Sequence, residues 1–264
     1  MYEVFERKLI NYICNNVLNE DYQIIVLTET WLTDGFADNE FIDERYSLYR
    51  RDRCSETRFK SRERGILIAV LKDLNSCRVL IDILQREDLW VSIMLNNASL
   101  VLCATYIPPN SSQEVYSAHC FDLEFVSSEY SNSVTCVPGD SNLSNVSWLS
   151  NNDSNGFIPI CSSNIRDEIV RDSYMFCGCN QYNANPNSTA SILDLIFSNC
   201  DNTATVQSSL LITFLQMWRL SYCLQPMVLR VMLMFNHLKI PICYLQITHS
   251  MFVILNSWRY RIYM

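Results

Sequence analysis

The sequence predicts a layered α/β or α+β domain. Three observations lead there. The chain has 264 residues of which 49% are hydrophobic, enough for one domain with a sizeable core. Short apolar runs of strand length alternate with segments of helical spacing. Polar side chains collect where the apolar runs end, as they do around the active sites of layered domains.

The first half of the chain predicts one helix and four strands. Residues 4–18 carry apolar residues at helical spacing. Residues 23–27 form a short β-branched run, typical of a buried strand, and Glu29 follows it. Three further strands are predicted over residues 66–71, 90–95 and 100–106. The last of them ends at Tyr106, because Pro108 and Pro109 force the chain out of a sheet.

The second half predicts two helices and two strands. The helices cover residues 113–131 and 165–174, and an Asn-rich loop covers residues 180–189. A strand over residues 133–137 is expected to stop at a break formed by Pro138 and Gly139. An apolar strand over residues 191–199 is interrupted by Asp194.

Four strand ends therefore carry a group suited to phosphate or metal chemistry. The groups are Glu29, Tyr106, Asp140 with Asn142, and Asp194. If the segment after Gly139 stays extended, Asp140 and Asn142 point the same way. A carboxylate that binds a metal or takes a proton, beside an amide that holds an oxygen, suits phosphate hydrolysis.

Each of these groups also has a structural interpretation. Gly, Asp, Ser and Asn are turn formers, so residues 139–142 equally predict a turn. Glu29 fits a salt bridge or a helix cap, Tyr106 a packed aromatic ring at the sheet rim, and Asp194 a structural hydrogen bond.

The basic stretch at residues 45–64 is the exception in an acidic chain. It holds eight basic residues, whereas the whole chain has a net charge of −8. That net charge argues against a protein that binds nucleic acid by bulk charge. A basic, aromatic-bearing loop beside carboxylates is a candidate DNA contact, and a solvated surface loop is the alternative.

The cysteines and the first residues predict an intracellular protein, nuclear or cytoplasmic. Twelve cysteines follow no pairing rhythm, and Cys177 with Cys179 does not have the usual zinc spacing. Residues 1–21 are mixed and charged, without the apolar run of a signal peptide. We expect reduced and mostly buried thiols.

Residues 202–264 differ in composition from residues 1–201. All 28 acidic residues lie at or before Asp201 and all five glycines at or before Gly178, whereas five basic residues follow Asp201. This boundary predicts a domain over 1–201 and an unrelated hydrophobic tail over 202–264, possibly frame-shifted or from a mispredicted exon. The longest uncharged span, residues 240–258, is long enough for a membrane helix, but its polar content argues against one.

Five motifs resemble the endonuclease/exonuclease/phosphatase superfamily, in the form of the apurinic-type endonuclease domain of non-LTR retrotransposons. They are Leu27-Thr28-Glu29-Thr30-Trp31-Leu32, Arg64-Gly65-Ile66-Leu67-Ile68-Ala69-Val70, Tyr106-Ile107-Pro108-Pro109, Gly139-Asp140-Ser141-Asn142-Leu143 with Trp148, and the run over residues 191–199. The resemblance covers residues 8–201 and implies a four-layer sandwich of two packed β-sheets flanked by helices.

The resemblance also implies a reaction, the Mg²⁺-dependent hydrolysis of a DNA phosphodiester that leaves a 3′-hydroxyl. Glu29 matches the Mg²⁺ ligand and Tyr106 the phosphate-contacting tyrosine. Asp140 matches the carboxylate that activates water, and Asn142 its partner that orients the phosphate. Asp194 matches the acid that orients a catalytic histidine. In an intact element a reverse transcriptase follows such a domain.

Departures from the family pattern predict a copy truncated at both ends and impaired or inactive. The family's first strand, with its asparagine, has no counterpart before residue 4. The family ends in an acid followed by a histidine, whereas His119, His237 and His249 each lack a preceding acid. Two alternatives stay open: a superfamily enzyme that acts on another phosphate, and a non-catalytic protein that associates with a membrane or a partner.

Overall fold

The structure is a computed structural model, and it describes most of the chain up to residue 200. The described residues are 22–30, 32, 35–40, 42–52, 65–81, 87–95, 98–143, 146–150, 156–160, 164–183 and 192–200, with the backbone of 203–204, 214–215 and 231–234. The predicted helix at 4–18 and most of the 202–264 segment lie outside them.

Fourteen strands and two α-helices are present in the described residues. The strands are β1 (Ile24–Thr28), β2 (Tyr46–Arg51), β3 (Ile66–Leu71), β4 (Ser76–Arg78), β5 (Glu87–Leu95), β6 (Ala98–Tyr106), β7 (Val134–Asp140), β8 (Ser147–Ser150), β9 (Phe157–Ile160), β10 (Asn180–Gln181), β11 (Asp194–Ser198), β12 (Thr203–Ala204), β13 (Phe214–Leu215) and β14 (Val231–Met234). The helices are α1 (Gln113–Glu129) and α2 (Ile165–Phe176), and a 3₁₀ turn covers Asp38–Glu40.

The strands of the described chain form two main sheets. The smaller has the order β14-β1-β3-β2, and the larger has the order β4-β5-β6-β7-β11-β10-β9-β8. Within the described residues, β12 and β13 form a separate two-stranded sheet. Most neighbours are antiparallel, but β6 runs parallel to β7 and β1 runs parallel to β14. The connection from β6 to β7 is α1, as a parallel pair requires a crossover.

The two sheets pack face to face, and the helices cover the outer face of the larger sheet. Ile24, Val26 and Ile68 of the smaller sheet share one core with Leu102 and Ile196 of the larger sheet. The opposite face of the larger sheet packs against α1 and α2 in a second core, through residues such as Trp90, Val101, Leu123, Val170 and Phe197. The predicted α+β sandwich with two packed sheets is confirmed.

Strand β7 does not break at Pro138 and Gly139, contrary to the prediction. It continues to Asp140, and Pro138 and Gly139 lie opposite Ile196 and Leu195 of β11. Gly139 serves close packing, since a Cβ there would lie 2.2 Å from the carbonyl oxygen of Thr105 in β6.

The other helices and strands predicted between residues 22 and 200 are found close to their expected bounds. The prediction missed β2, which forms the first part of the supposed basic loop, and the short strands β4, β8, β9 and β10. In the 202–264 segment, β14 pairs with β1, with Val231 opposite Ile24 and Met234 opposite Leu27. No helix among the described residues is long and apolar enough to cross a membrane.

Candidate active site

Three of the predicted site residues form a row across neighbouring strands of the larger sheet. Asp140, the last residue of β7, lies opposite Asp194, the first residue of β11. On its other side Asp140 lies opposite Tyr106, the last residue of β6. Tyr106 and Asp140 are 2% and 1% exposed, and Asp194 is half-buried. The strand ends that the sequence pointed to therefore meet at one edge.

The three side chains lie on the face that looks toward the smaller sheet. Cys136 and Ile196 belong to the core between the sheets, and Val137 and Leu195 belong to the helix-side core. Because side chains alternate along a strand, Asp140 and Asp194 fall on the inter-sheet face. Tyr106 itself is part of the inter-sheet core.

Glu29 is linked to the same edge through contacts of its neighbours in the smaller sheet. It follows β1 with a left-handed backbone (φ +53°) and is 5% exposed. The neighbouring Thr30 N–H donates to the carbonyl of Gly65 (2.9 Å), and the Gly65 N–H donates to Oε2 of Glu87 (3.3 Å). Glu87 is the strand partner of Tyr106. This chain of contacts joins the end of β1 to the row formed by Tyr106, Asp140 and Asp194.

Asn142 completes a turn directly after Asp140, so the turn and the site coincide. Its backbone is left-handed (φ +48°), and its N–H donates to Oδ1 of Asp140 (3.0 Å). Its side-chain Nδ2 donates to the carbonyl of Ile107 (2.9 Å), just beyond Tyr106. The segment is not extended at Asn142, and its side chain is held by the β6 end instead of by the strand geometry that we expected.

The residues at this edge fit a magnesium ion held by one carboxylate. Mg²⁺ binds through one or two carboxylates, keeps several waters and takes further ligands from a substrate phosphate. Glu29 supplies a buried carboxylate, and the adjacent Thr30 hydroxyl is buried without a hydrogen-bond partner in the described part of the chain. Within that part, no three His, Cys, Asp or Glu side chains cluster as a ready-made metal site.

A second polar cluster, which the sequence analysis missed, lies on the helix-covered face behind the site. His119 of α1 pairs through Nδ1 with Oδ2 of Asp88 (3.0 Å) and through Nε2 with the hydroxyl of Tyr174 in α2 (2.7 Å). The Thr105 hydroxyl donates to Oδ1 of Asp88. We call Asp88, Thr105, His119 and Tyr174 the buried network; none is more than 2% exposed. The available signal was Asp88, a carboxylate inside the apolar strand β5.

The described part of the basic stretch is occupied with local ion pairs. Arg45 contacts Asp43 at 3.0 Å, and Arg50 contacts both Asp38 at 2.7 Å and Asp52. Residues 53–64, which hold the rest of the predicted DNA contact, lie outside the described residues. A mostly apolar pocket between α2 and the β8–β9 hairpin is lined by Trp148, Phe157 and Phe197, and it contains none of the predicted site residues.

The cysteines are free thiols wherever the structure describes them. Five are buried, namely Cys103, Cys120, Cys136, Cys179 and Cys200, whereas Cys77 is exposed. Burial raises the pKa of Cys136 to about 12 and that of Cys120 to about 12, so both stay protonated and unreactive at neutral pH.

Comparison with solved structures gives matches of low identity. The endonuclease domain of TRAS1, a telomere-specific non-LTR retrotransposon, is 13% identical with a TM-score of 0.48, over 73% of this chain and 80% of that one. An endonuclease/exonuclease/phosphatase family protein from Leptotrichia buccalis is 11% identical with a TM-score of 0.45, over 76% and 84%. Beta toxin from Staphylococcus aureus, with bound magnesium ions, is 11% identical with a TM-score of 0.48, over 82% and 86%.

One of these matches bears the name of the superfamily whose motifs the sequence resembles, and the resemblance itself stays a prediction. Identity this low concerns the fold and not the chemistry. No family model and no curated protein matches the sequence.

Proposed function

We propose that this chain is a phosphodiester hydrolase of the retrotransposon endonuclease kind, which cuts DNA with the help of Mg²⁺ and leaves a 3′-hydroxyl. The observation that carries the proposal is the row of Tyr106, Asp140 and Asp194 at one end of the larger sheet, joined to Glu29 at the end of β1.

In this proposal Asp140 is the general base. Its carboxylate takes a proton from a water, the water oxygen bonds to phosphorus, and the bond from phosphorus to the 3′-oxygen breaks. The products are a 5′-phosphate and a 3′-hydroxyl, whose oxygen takes up a proton. The Asn142 N–H bond to Oδ1 of Asp140 fixes the orientation of the carboxylate (3.0 Å).

Tyr106 and Glu29 handle the phosphate in the same proposal. The Tyr106 hydroxyl donates to a non-bridging phosphate oxygen. Glu29 would hold Mg²⁺, which when bound supplies positive charge against the developing negative charge on the phosphoryl group. Asp194, opposite Asp140, is the candidate to position a further catalytic group.

We expect a slow enzyme. His119 is the only histidine of the described residues, and it lies on the opposite face of the sheet in contact with Asp88 and Tyr174. His237 and His249 lie outside the described residues. A missing general acid or phosphate contact costs on the order of 10²–10⁴-fold in rate.

The test is nicking of supercoiled plasmid DNA by the full chain, with Mg²⁺ and with excess EDTA. We expect slow nicking that needs Mg²⁺ and falls by about 10²-fold or more in Asp140→Asn and in Glu29→Gln. The matched control is Asp172→Asn, which removes an exposed carboxylate paired with Arg171 on α2 and should not change the rate.

A small aromatic phosphodiester assayed in parallel separates the alternatives. Its hydrolysis without DNA nicking, again dependent on Asp140, would assign the site to another phosphate substrate. Activity on neither substrate would contradict a catalytic function and favour the non-catalytic alternative.

A further inference from the structure

Helix α1 contacts both sides of the proposed site through two side chains one turn apart. Tyr116 and His119 lie at positions i and i+3 of the helix, so they share the face turned toward the larger sheet. Tyr116 reaches the turn after Asp140, and His119 reaches the strand pair that carries Tyr106. Both side chains are 1% exposed.

The first contact holds the turn between the two predicted catalytic groups. The Tyr116 hydroxyl donates to the carbonyl of Ser141 (3.0 Å), the residue between Asp140 and Asn142. Burial, with smaller opposing and reinforcing effects of nearby charges, raises the pKa of Tyr116 to about 12. The phenol therefore stays protonated at neutral pH and remains a hydrogen-bond donor.

The second contact holds the end of β6. Asp88 lies opposite Thr105, which directly precedes Tyr106, and Thr105 lies opposite Gly139, which directly precedes Asp140. His119 and the Thr105 hydroxyl occupy the two carboxylate oxygens of Asp88. The buried network thus adjoins the site: Thr105 is the residue before Tyr106 on β6, and its partner Gly139 is the residue before Asp140 on β7.

One arrangement of protons satisfies every group of the buried network. Burial raises the pKa of Tyr174 well above its usual value, so its hydroxyl keeps a proton and donates to Nε2 of His119. Nδ1 of His119 then carries the imidazole proton and donates to Asp88. His119, contacted at both ring nitrogens, fixes α1 relative to β5 and β6.

We propose that Tyr116 and His119 are positioning residues, through which α1 fixes the Asp140–Asn142 turn and the Tyr106 strand end relative to each other. The proposal rests on the proposed function for its catalytic consequence. Its structural content, that these two contacts hold the strand ends in place, is measurable without activity.

The chain offers four substitutions of the same kind for the test. Tyr116→Phe removes the bond to Ser141, and Tyr174→Phe removes the bond to His119. Two controls each remove a buried tyrosine bond to a carbonyl elsewhere: Tyr182→Phe the bond to Cys200 (2.8 Å), and Tyr46→Phe the bond to Tyr22 (2.7 Å). Cys200 lies beyond the far end of β11 from Asp194, and Tyr46 begins β2 in the smaller sheet.

The first readout is amide hydrogen exchange in the full chain without Mg²⁺ or DNA. The reporters are the N–H of Asn142, which donates to Oδ1 of Asp140 (3.0 Å), and the N–H of Ile107, which donates to the Asp140 carbonyl (2.8 Å). We expect about fivefold or faster exchange at these amides in Tyr116→Phe and Tyr174→Phe than in either control.

The second readout is the kinetics of nicking, if the wild-type chain nicks DNA. Misplaced catalytic groups lower kcat by about 10-fold or more, whereas KM should stay within about twofold. The controls should change neither constant.

These readouts separate this proposal from the proposed function. Wild-type protein that does not nick DNA contradicts the proposed function, and hydrogen exchange still decides the positioning role. The positioning role is contradicted if neither test variant exchanges these amides faster than the controls do. It is also contradicted if only one of the two test variants does. If Tyr174→Phe does not fold, Thr105→Val removes another hydroxyl of the buried network and takes its place.

Discussion

The same strand ends of the larger sheet carry two polar clusters, one on each face. The two clusters differ in the groups that contact their buried carboxylate. On the helix-covered face, Asp88 and Thr105 join His119 and Tyr174. On the face toward the smaller sheet, the next positions along β6 and β7 place Tyr106 beside Asp140. Each cluster includes a carboxylate that is 1% exposed: Asp88 contacts the Thr105 hydroxyl and the His119 ring, whereas Asp140 accepts from the Asn142 N–H and lies opposite Asp194.

The difference indicates that one face of the sheet carries a stabilising polar network and the other carries the proposed site. A buried carboxylate is tolerated when donors meet its charge, and Asp88 has Thr105 and His119 for that purpose. Asp140 accepts from the Asn142 N–H and lies opposite a second carboxylate, Asp194, across the strand pair. Like charges placed opposite each other destabilise a sheet. Two carboxylates side by side at neighbouring strand ends are common at functional sites.

The largest expected difference between the two faces is in the loss of stability caused by Asp88→Ala and by Asp140→Ala. Removing Asp88 leaves the His119 N–H and the Thr105 hydroxyl buried without an acceptor, at a cost of about 3 kcal/mol in the free energy of unfolding. Removing Asp140 takes the acceptor from the Asn142 N–H but also removes one of two facing carboxylates, so we expect a smaller cost of about 1 kcal/mol. Urea unfolding followed by circular dichroism measures both. Equal losses would show that the two carboxylates play the same structural part.

Sequence reasoning located the strands and the groups at their ends. Runs such as 23–27, 66–71 and 100–106 are apolar, of strand length and rich in β-branched residues, so their burial determines their conformation and a local pattern is enough to predict them. Glu29, Tyr106, Asp140 and Asp194 were found because each interrupts or ends such a run. The structure brings Tyr106, Asp140 and Asp194 together at one edge and links the end of β1, next to Glu29, to that edge through Gly65 and Glu87. Their chemical roles stay predictions.

The pairing of strands and the contacts between elements could not be predicted from local sequence patterns. His119 lies 31 residues from Asp88 and 55 residues from Tyr174, so no local pattern joins them. Gly139 was interpreted as a break, because a Pro-Gly pair is a local turn signal. Its true reason, the close approach of the Thr105 backbone, appears only once β6 and β7 are side by side. Short strands such as β8 and β9 carry too few residues for a periodic signal.

Gly139 is the point that both faces share, and Gly139→Ala should disturb both. The new Cβ would lie 2.2 Å from the Thr105 carbonyl oxygen and 2.4 Å from its Cγ2, so β6 and β7 must move apart. We expect a loss of about 2–3 kcal/mol in stability, as for overpacked cores, together with faster amide exchange at Ile107 and Asn142. Urea unfolding and hydrogen exchange measure the two effects.

Gly178→Ala is the control for this substitution. No atom lies within 4 Å of the position of its Cβ, but its backbone is left-handed (φ +67°). Alanine there should cost about 1 kcal/mol through backbone strain alone. It should leave the exchange of Ile107 and Asn142 unchanged. A similar change at these amides in both variants would mean that global destabilisation, and not the spacing of β6 and β7, controls them.

The smallest expected effect tests whether the facing carboxylates Asp140 and Asp194 destabilise the fold. Asp140→Asn keeps an oxygen acceptor for the Asn142 N–H but removes one of two like charges that face each other across β7 and β11. We expect the free energy of unfolding to rise by about 0.5 kcal/mol without Mg²⁺, the size of a cross-strand charge effect. Asp194→Asn should give a similar gain, and the double substitution should add little, because the repulsion is already absent after the first. Urea unfolding at low ionic strength measures the set. Independent, additive losses in the free energy of unfolding would mean that each carboxylate is stabilised separately. Asp140 would then not differ in this respect from Asp88 in the buried network.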